Sequence, residues 1–361
     1  MKKVLKEHKW FSVMIIGIGL LLSTVINGEY FYGQTILASV CIIFSLTFIL
    51  KGFRNLHPLI QFTFIICVAL SGMGLAVFFG TFISAWFCGT GASLTEMISE
   101  MGNLESNTGI CANLVLNSIN QILAFGTAGF AYSILHGTTS GAGFSLKGKN
   151  LNLNKFLIGA VVITLGFSPF LDLTYRLNEW LLVDGSKLHS MAAALEAEAM
   201  RITVAMLKME TSKQLLATLI AVAVLPAICE EWLFRGTIQP IFSQWSGNIH
   251  IGIWVSAFLF SAIHFQFFGF IPRLLLGAGF GYMVAASGSL WPAVLGHFVN
   301  NGVAVVAAWW LGPEWIAEGM NPSEGSLGLS EVITTAIGAA AIIGSVWWLN
   351  VKTMFLEELS Q

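Results

Sequence analysis

The chain has 361 residues, of which 56% are hydrophobic and only 10% charged, and its mean hydropathy is +0.78. A soluble domain carries roughly 25% charged residues, so this chain cannot clothe a water-facing surface and reads as a polytopic membrane protein. The formal net charge of −2 leaves no basic surplus, which excludes nucleic acid as a partner.

In chain order, Lys2, Lys3, Lys6 and Lys9 precede an apolar run from Trp10 to Asn27. A signal peptide begins in the same way, but no Ala-x-Ala site follows, so the run reads as a retained first helix. Further apolar stretches long enough to cross a bilayer lie near 35–50, 58–87, 112–136, 155–174, 213–242, 249–268, 271–287, 290–311 and 329–350. The expected fold is therefore all-α, a bundle of about 8–10 transmembrane helices. Phe268 to Pro272 reads as a tight turn between two of them. Basic residues orient the chain. The N-terminal lysines, Lys51 with Arg54, and Lys147, Lys149 and Lys155 fall on alternate loops. The segment from Gly89 to Ile110 carries Glu96, Glu100 and Glu105 and no basic residue. This pattern implies that both termini are cytoplasmic.

Between Tyr175 and Lys213, Met191, Leu195, Ile202, Met206 and Met209 recur at helical spacing, with Glu196, Glu198, Arg201 and Lys208 elsewhere on the wheel. The segment reads as an amphipathic helix on the extracytoplasmic side, lying on the membrane or packed over the bundle. The five cysteines form no CxxC pair. Cys88 and Cys111 bracket the acidic loop; two unpaired cysteines are the favoured reading and a disulfide is the alternative.

The chemistry concentrates after residue 213. A charge inside an apolar span is costly and marks a functional candidate. The span from Leu219 to Phe242 holds Pro226, Glu230, Glu231 and Arg235. Residues four apart share a helix face, so Glu231 pairs with Arg235 while Glu230 points elsewhere, free of that partner. Pro226 removes a backbone donor one turn before Glu230. A second span carries Phe260 and His264, and a third carries His297, Asn300 and Asn301. Together they offer a carboxylate, two imidazoles and an amide near mid-span, enough to activate a water and stabilise an oxyanion. A helix–helix hydrogen bond for each histidine and a structural clamp for the Glu–Arg pair are the bland alternatives. Gly277, Gly279 and Gly281 follow no strand and read as close helix packing. HExxH is absent. The two aspartates, Asp172 and Asp184, do not form an intramembrane pair. Ser140 lies in a polar loop.

Glu230-Glu231-Trp-Leu-Phe-Arg235 matches EExxxR, Phe260-Ser-Ala-Ile-His264 matches FxxxH, and His297-Phe-Val-Asn-Asn301 matches HxxxN. In this order they resemble the CAAX-processing and bacteriocin-processing (CPBP) intramembrane endopeptidases, a family that includes type II prenyl-protein proteases. The resemblance covers about residues 213–310. It implies hydrolysis of a peptide bond in a membrane-associated protein or peptide substrate, with Glu230 and His264 activating water. His297 and Asn301 would bind the oxyanion or the water, and Glu231 and Arg235 would support the site. The family has also been described as metal-dependent; a metal-free glutamate mechanism with no cofactor is the expectation here, and zinc held by Glu230, His264 and His297 is the minor alternative. Prenyl-protein members can carry an Asn one turn after the second-motif His. Here that position is Phe268, so prenyl specificity does not carry over. The other function classes that fit a polar cavity are a transporter or channel, against which stands the lack of repeated halves, and a non-catalytic membrane scaffold.

On this reading residues 1–174 form N-terminal transmembrane helices, 175–212 the amphipathic extracytoplasmic segment, 213–311 the catalytic core, and 312–361 a C-terminal loop and transmembrane helix. The expected location is the bacterial inner (cytoplasmic) membrane, with lipid as surroundings.

Overall fold

A computed structural model describes residues 52–136, 153–181, 186–315 and 329–349. The spans expected near 10–27 and 35–50, the N-terminal lysines, Ser140 and Asp184 lie outside the described residues. The described chain is helical without strands. In order, the helices are α1 (Pro58–Cys88), α2 (Leu94–Gly102), α3 (Asn107–Leu135), α4 (Leu153–Phe167), α5 (Phe170–Leu181) and α6 (Lys187–Met206). They continue with α7 (Ser212–Ser246), α8 (Ile249–Ala262), α9 (Phe270–Ser287), α10 (Trp291–Leu311) and α11 (Leu329–Trp348). Six of these, α1, α3, α7, α9, α10 and α11, are long and apolar enough to cross a membrane. The protein is an all-α polytopic integral membrane bundle.

The core lies where α1, α3, α7 and α8 meet, through Phe64, Ile65, Tyr132, Leu233, Phe234, Ile238, Ile241 and Phe260. Trp86, Trp310 and Trp347 stay exposed on the outside, where a bilayer rather than water accounts for them. α4 packs between α10 and α11. A Cβ at Gly338 would sit 2.3 Å from the Gly166 carbonyl oxygen, so glycine sets how closely α4 and α11 approach.

Several expectations are corrected. The span read as 155–174 breaks at Ser168 and Pro169, so the segment read as one amphipathic helix is preceded by a separate α5. The span read as 249–268 stops at Ala262, and His264 sits in the following turn, next to Phe265 at φ 52°. α6 packs over the bundle with Ile202 and Met206 partly buried toward its C-terminal end, whereas nearer its N-terminus the inward face is not the one Met191 and Leu195 suggest. Ala192 and Glu196 are buried while Met191 and Leu195 are exposed; the inner face must accommodate the backbone of the 263–269 turn, and small or hydrogen-bonding side chains fit there. Finally, Cys88 and Cys111 are disulfide-bonded, with Cα atoms 5.9 Å apart. Antiparallel packing of α1 on α3 brings the last residue of one helix to the second turn of the other, a juxtaposition the sequence spacing does not show.

The α7 helix is not uniform. Leu219–Val224 and Phe234–Ile238 are π-helical turns, the first two residues before Pro226 and the second two residues before Pro240. A proline has no N–H for the carbonyl four residues back and its ring crowds that carbonyl; widening the preceding turn relieves the clash. α3 carries a third π turn, Gln121–Gly126. The three wide turns surround the acidic pair of α7.

Candidate active site

Glu230 and Glu231 stand between the two π turns of α7 and are 6% and 0% exposed. Their carboxylates point to different partners, as 100° of helical rotation requires. Glu231 Oε1 accepts from Arg235 Nη1 at 2.9 Å and from His297 Nδ1 at 2.8 Å. Arg235 Nη2 donates to the Gly277 carbonyl at 2.9 Å, and its guanidinium lies over the Phe260 ring at 4.6 Å. A Cβ on Gly277 would come within 2.8 Å of Nη2, and one on Gly281 within 2.8 Å of Gln239 Oε1, whereas Gly279 meets nothing. Two of the three glycines are thus packing positions, and the first admits the guanidinium.

His297 rises from α10 into this centre, 5% exposed, with its ring stacked on Phe280 and edge-on to Phe260. A carboxylate only accepts, so the bond to Glu231 puts the ring proton on Nδ1 and turns Nε2 toward Glu230 Oε2, 3.9 Å away. One water can touch both atoms. His264 is half-buried. Its Nδ1 faces the Phe260 carbonyl at 2.8 Å, which likewise leaves Nε2 free. Among the described residues no three His, Cys, Asp or Glu side chains gather as metal ligands.

Asn301, one turn beyond His297, donates from Nδ2 to the Val222 carbonyl at 2.9 Å and accepts from Asn300 Nδ2 at 3.0 Å. Val222 is four residues before Pro226. Ala221, five residues before it, accepts from Asn117 Nδ2 at 2.8 Å. The Leu225 N–H bonds Ile220, five back, so α7 is in π register there. The carbonyls that Pro226 cannot satisfy in either register each receive a carboxamide. Asn301 Nδ2 keeps a second hydrogen beyond this bond.

Two features escaped the sequence reading. Gln121 of α3 donates from Nε2 to Glu230 Oε1 at 2.8 Å; a lone glutamine inside an apolar span was the available signal. The turn after His264 is held from outside. The Phe268 carbonyl accepts from Asn178 at 2.7 Å, its N–H donates to Glu196 at 3.3 Å, and Arg273 donates to Gln266 Oε1 at 2.9 Å. Phe268, the point of departure from prenyl-protein members, is thus fixed through its backbone. Burial raises the Glu196 carboxyl above the ordinary carboxylate range, against the pull of Arg273 and the Phe268 N–H.

Fold and site together define a polytopic helical membrane protein with a buried carboxylate–imidazole–guanidinium centre. Residues 212–303 match the family model described as type II CAAX prenyl endopeptidase Rce1-like, in agreement with the CPBP resemblance. The uncharacterized protein YpbD of Bacillus subtilis (strain 168) is 30% identical over 96 residues, 26% of this chain and 46% of that protein. The match thus spans about half of that relative's length. No solved structure matches the chain.

Proposed function

We propose that this protein is an intramembrane endopeptidase that hydrolyses a peptide bond of a membrane-associated protein or peptide with a water activated by Glu230 and His264. The observation that carries the reading is the pairing of Glu230 Oε2 with His297 Nε2 across 3.9 Å, inside the segment that matches a protease family. Glu230 takes a proton from the water, and the oxygen bonds to the scissile carbonyl carbon. Asn301 gives the oxyanion the second hydrogen of its Nδ2, and His297 donates from Nε2 in its doubly protonated form. Glu231 and Arg235 hold His297 in place, and Glu231 balances its charge when the ring is protonated. As the C–N bond breaks, the proton taken up by Glu230 passes to the leaving amine, directly or relayed through Nε2 of His264, so protons and bonds balance without a cofactor. With Phe268 at the departing position, the substrate need not be prenylated.

The organisation into helices of 1–174, an outer segment 175–212, a core 213–311 and a C-terminal part 312–361 belongs to this proposal. So do the bacterial inner membrane and cytoplasmic termini. The basic loops support the orientation, and so does the Cys88–Cys111 disulfide at the acidic, opposite end, since disulfides persist in oxidising compartments.

The test is cleavage of a peptide library by the reconstituted full chain. Glu230→Gln and His264→Ala should each lower the rate by about a hundredfold to ten-thousandfold while insertion and folding persist. Chelators should leave the rate unchanged; loss on chelation with recovery on stoichiometric zinc would overturn the metal-free route. Ion flux in vesicles that responds to Glu230→Gln, with no peptide cut by any form, would make the protein a transporter.

A further inference from the structure

We infer that Gln121 is the positioning residue of the candidate catalytic carboxylate, fixing the plane of the Glu230 carboxylate relative to His297; this rests on the hydrolytic reading above. Gln121 lies far outside the segment 212–303, in the N-terminal part of the chain that no family match covers. It opens the π turn of α3 and is 6% exposed. A carboxamide buried in an apolar span needs partners. Here Nε2 has one, Glu230 Oε1 at 2.8 Å, whereas Oε1 of Gln121 is buried with no donor among the described residues.

This arrangement makes the two carboxylate oxygens of Glu230 inequivalent. Oε1 is engaged by Gln121, and Oε2 is turned toward His297 Nε2. The terminal torsion of a glutamate is broad, so without the Gln121 bond the carboxylate plane is free to rotate and no oxygen is held toward His297 Nε2. With it, Oε2 is the oxygen left to accept the proton of the water. The wide turn at 121–126 is part of the device, because it sets the rotation at which Gln121 leaves α3 against the Glu230 turn of α7.

The experiment compares the full-length purified protein with Gln121→Met, which keeps the volume but removes the donor, and Gln121→Asn, which keeps the amide but shortens its reach. Asn carries the test if Met does not fold. The Glu230 carboxyl band is first assigned as the infrared difference between the parent and Glu230→Gln. In both Gln121 variants this band should move, and kcat for library peptides should fall by about tenfold to a hundredfold with KM little changed. An unmoved Glu230 band, or an unchanged kcat in folded variants, would overturn the inference. The infrared arm needs no substrate. If the band moves while the parent itself cuts nothing, the positioning stands and the hydrolytic reading fails.

Discussion

Glu231 has the most demanding environment of any residue in the site. It is fully buried, one oxygen receives both Arg235 and His297, and the other has no hydrogen-bond partner among the described residues. Such a pair contributes less to stability than its distance suggests, because both charges leave water. Breaking it is another matter, since the remaining charge is stranded. Arg235→Met should therefore destabilise the protein by about 3–5 kcal/mol, read as a fall in thermal stability in detergent. Adding Glu231→Gln to that variant should recover part of the loss, because the stranded carboxylate is gone. Gly277→Ala acts on the same group from the far side. Its methyl would collide with Nη2, and crowding of this kind costs about 1–3 kcal/mol. The thermal unfolding of Gly277→Ala in an Arg235→Met background tests this, and the added cost should shrink there.

Among the elements, α7 depends most on its neighbours. Pro226 denies a hydrogen bond to the carbonyls before it, and Asn117 of α3 and Asn301 of α10 satisfy them instead. If that is the work of Asn301, its effect depends on the proline. Asn301→Ala should cost about 1–2 kcal/mol in the parent and clearly less in Pro226→Ala, where a backbone N–H returns; a thermal double-mutant cycle measures the difference. An equal cost in both backgrounds would reduce the bond to an incidental contact. α6 offers a pH-dependent counterpart. Its Glu196 is held above the ordinary carboxylate range in the folded protein, so the folded state binds the proton more tightly than the unfolded one. Stability should then decline as pH rises above the ordinary carboxylate value toward the raised one. Glu196→Gln should flatten that slope in a series of thermal melts across pH.

At the scale of the molecule, α1 and α3 are joined twice, by packing along their lengths and by the Cys88–Cys111 bond at the acidic end. Since α3 carries both Asn117 and Gln121, this clasp fixes the helix that reaches into the site. A cross-link closing a separation of 23 residues restricts the unfolded chain and contributes about 3 kcal/mol. Cys88→Ser, or reduction of the parent, should lower the midpoint of thermal unfolding correspondingly. The parent should also migrate differently with and without reductant on a denaturing gel, and Cys88→Ser should not. Among the described residues Cys67 and Cys229 are free and buried, so alkylation after unfolding should count them separately from the bonded pair.

Composition and local pattern determined a great deal of this protein. Apolar length gave the spans of α1, α3, α7, α9, α10 and α11, and i to i+4 spacing gave the Glu231–Arg235 pair, because both are properties of a single helix. Pro226 of α7 was visible as the site of a lost donor. What needed the tertiary structure was every relation between helices. Gln121 meets Glu230 across 109 residues of sequence, and Asn117 meets Ala221 across 104; no period links such positions. The disulfide depends on how α1 lies against α3. The inward face of α6 near Glu196 is set by the backbone of the 263–269 turn, which takes the buried glutamate while Met191 and Leu195 stay exposed. In lipid, hydrophobicity says that a helix is inserted but is indifferent to which neighbour it touches, so partner choice falls to small residues and hydrogen bonds, and those are legible only once the helices are packed.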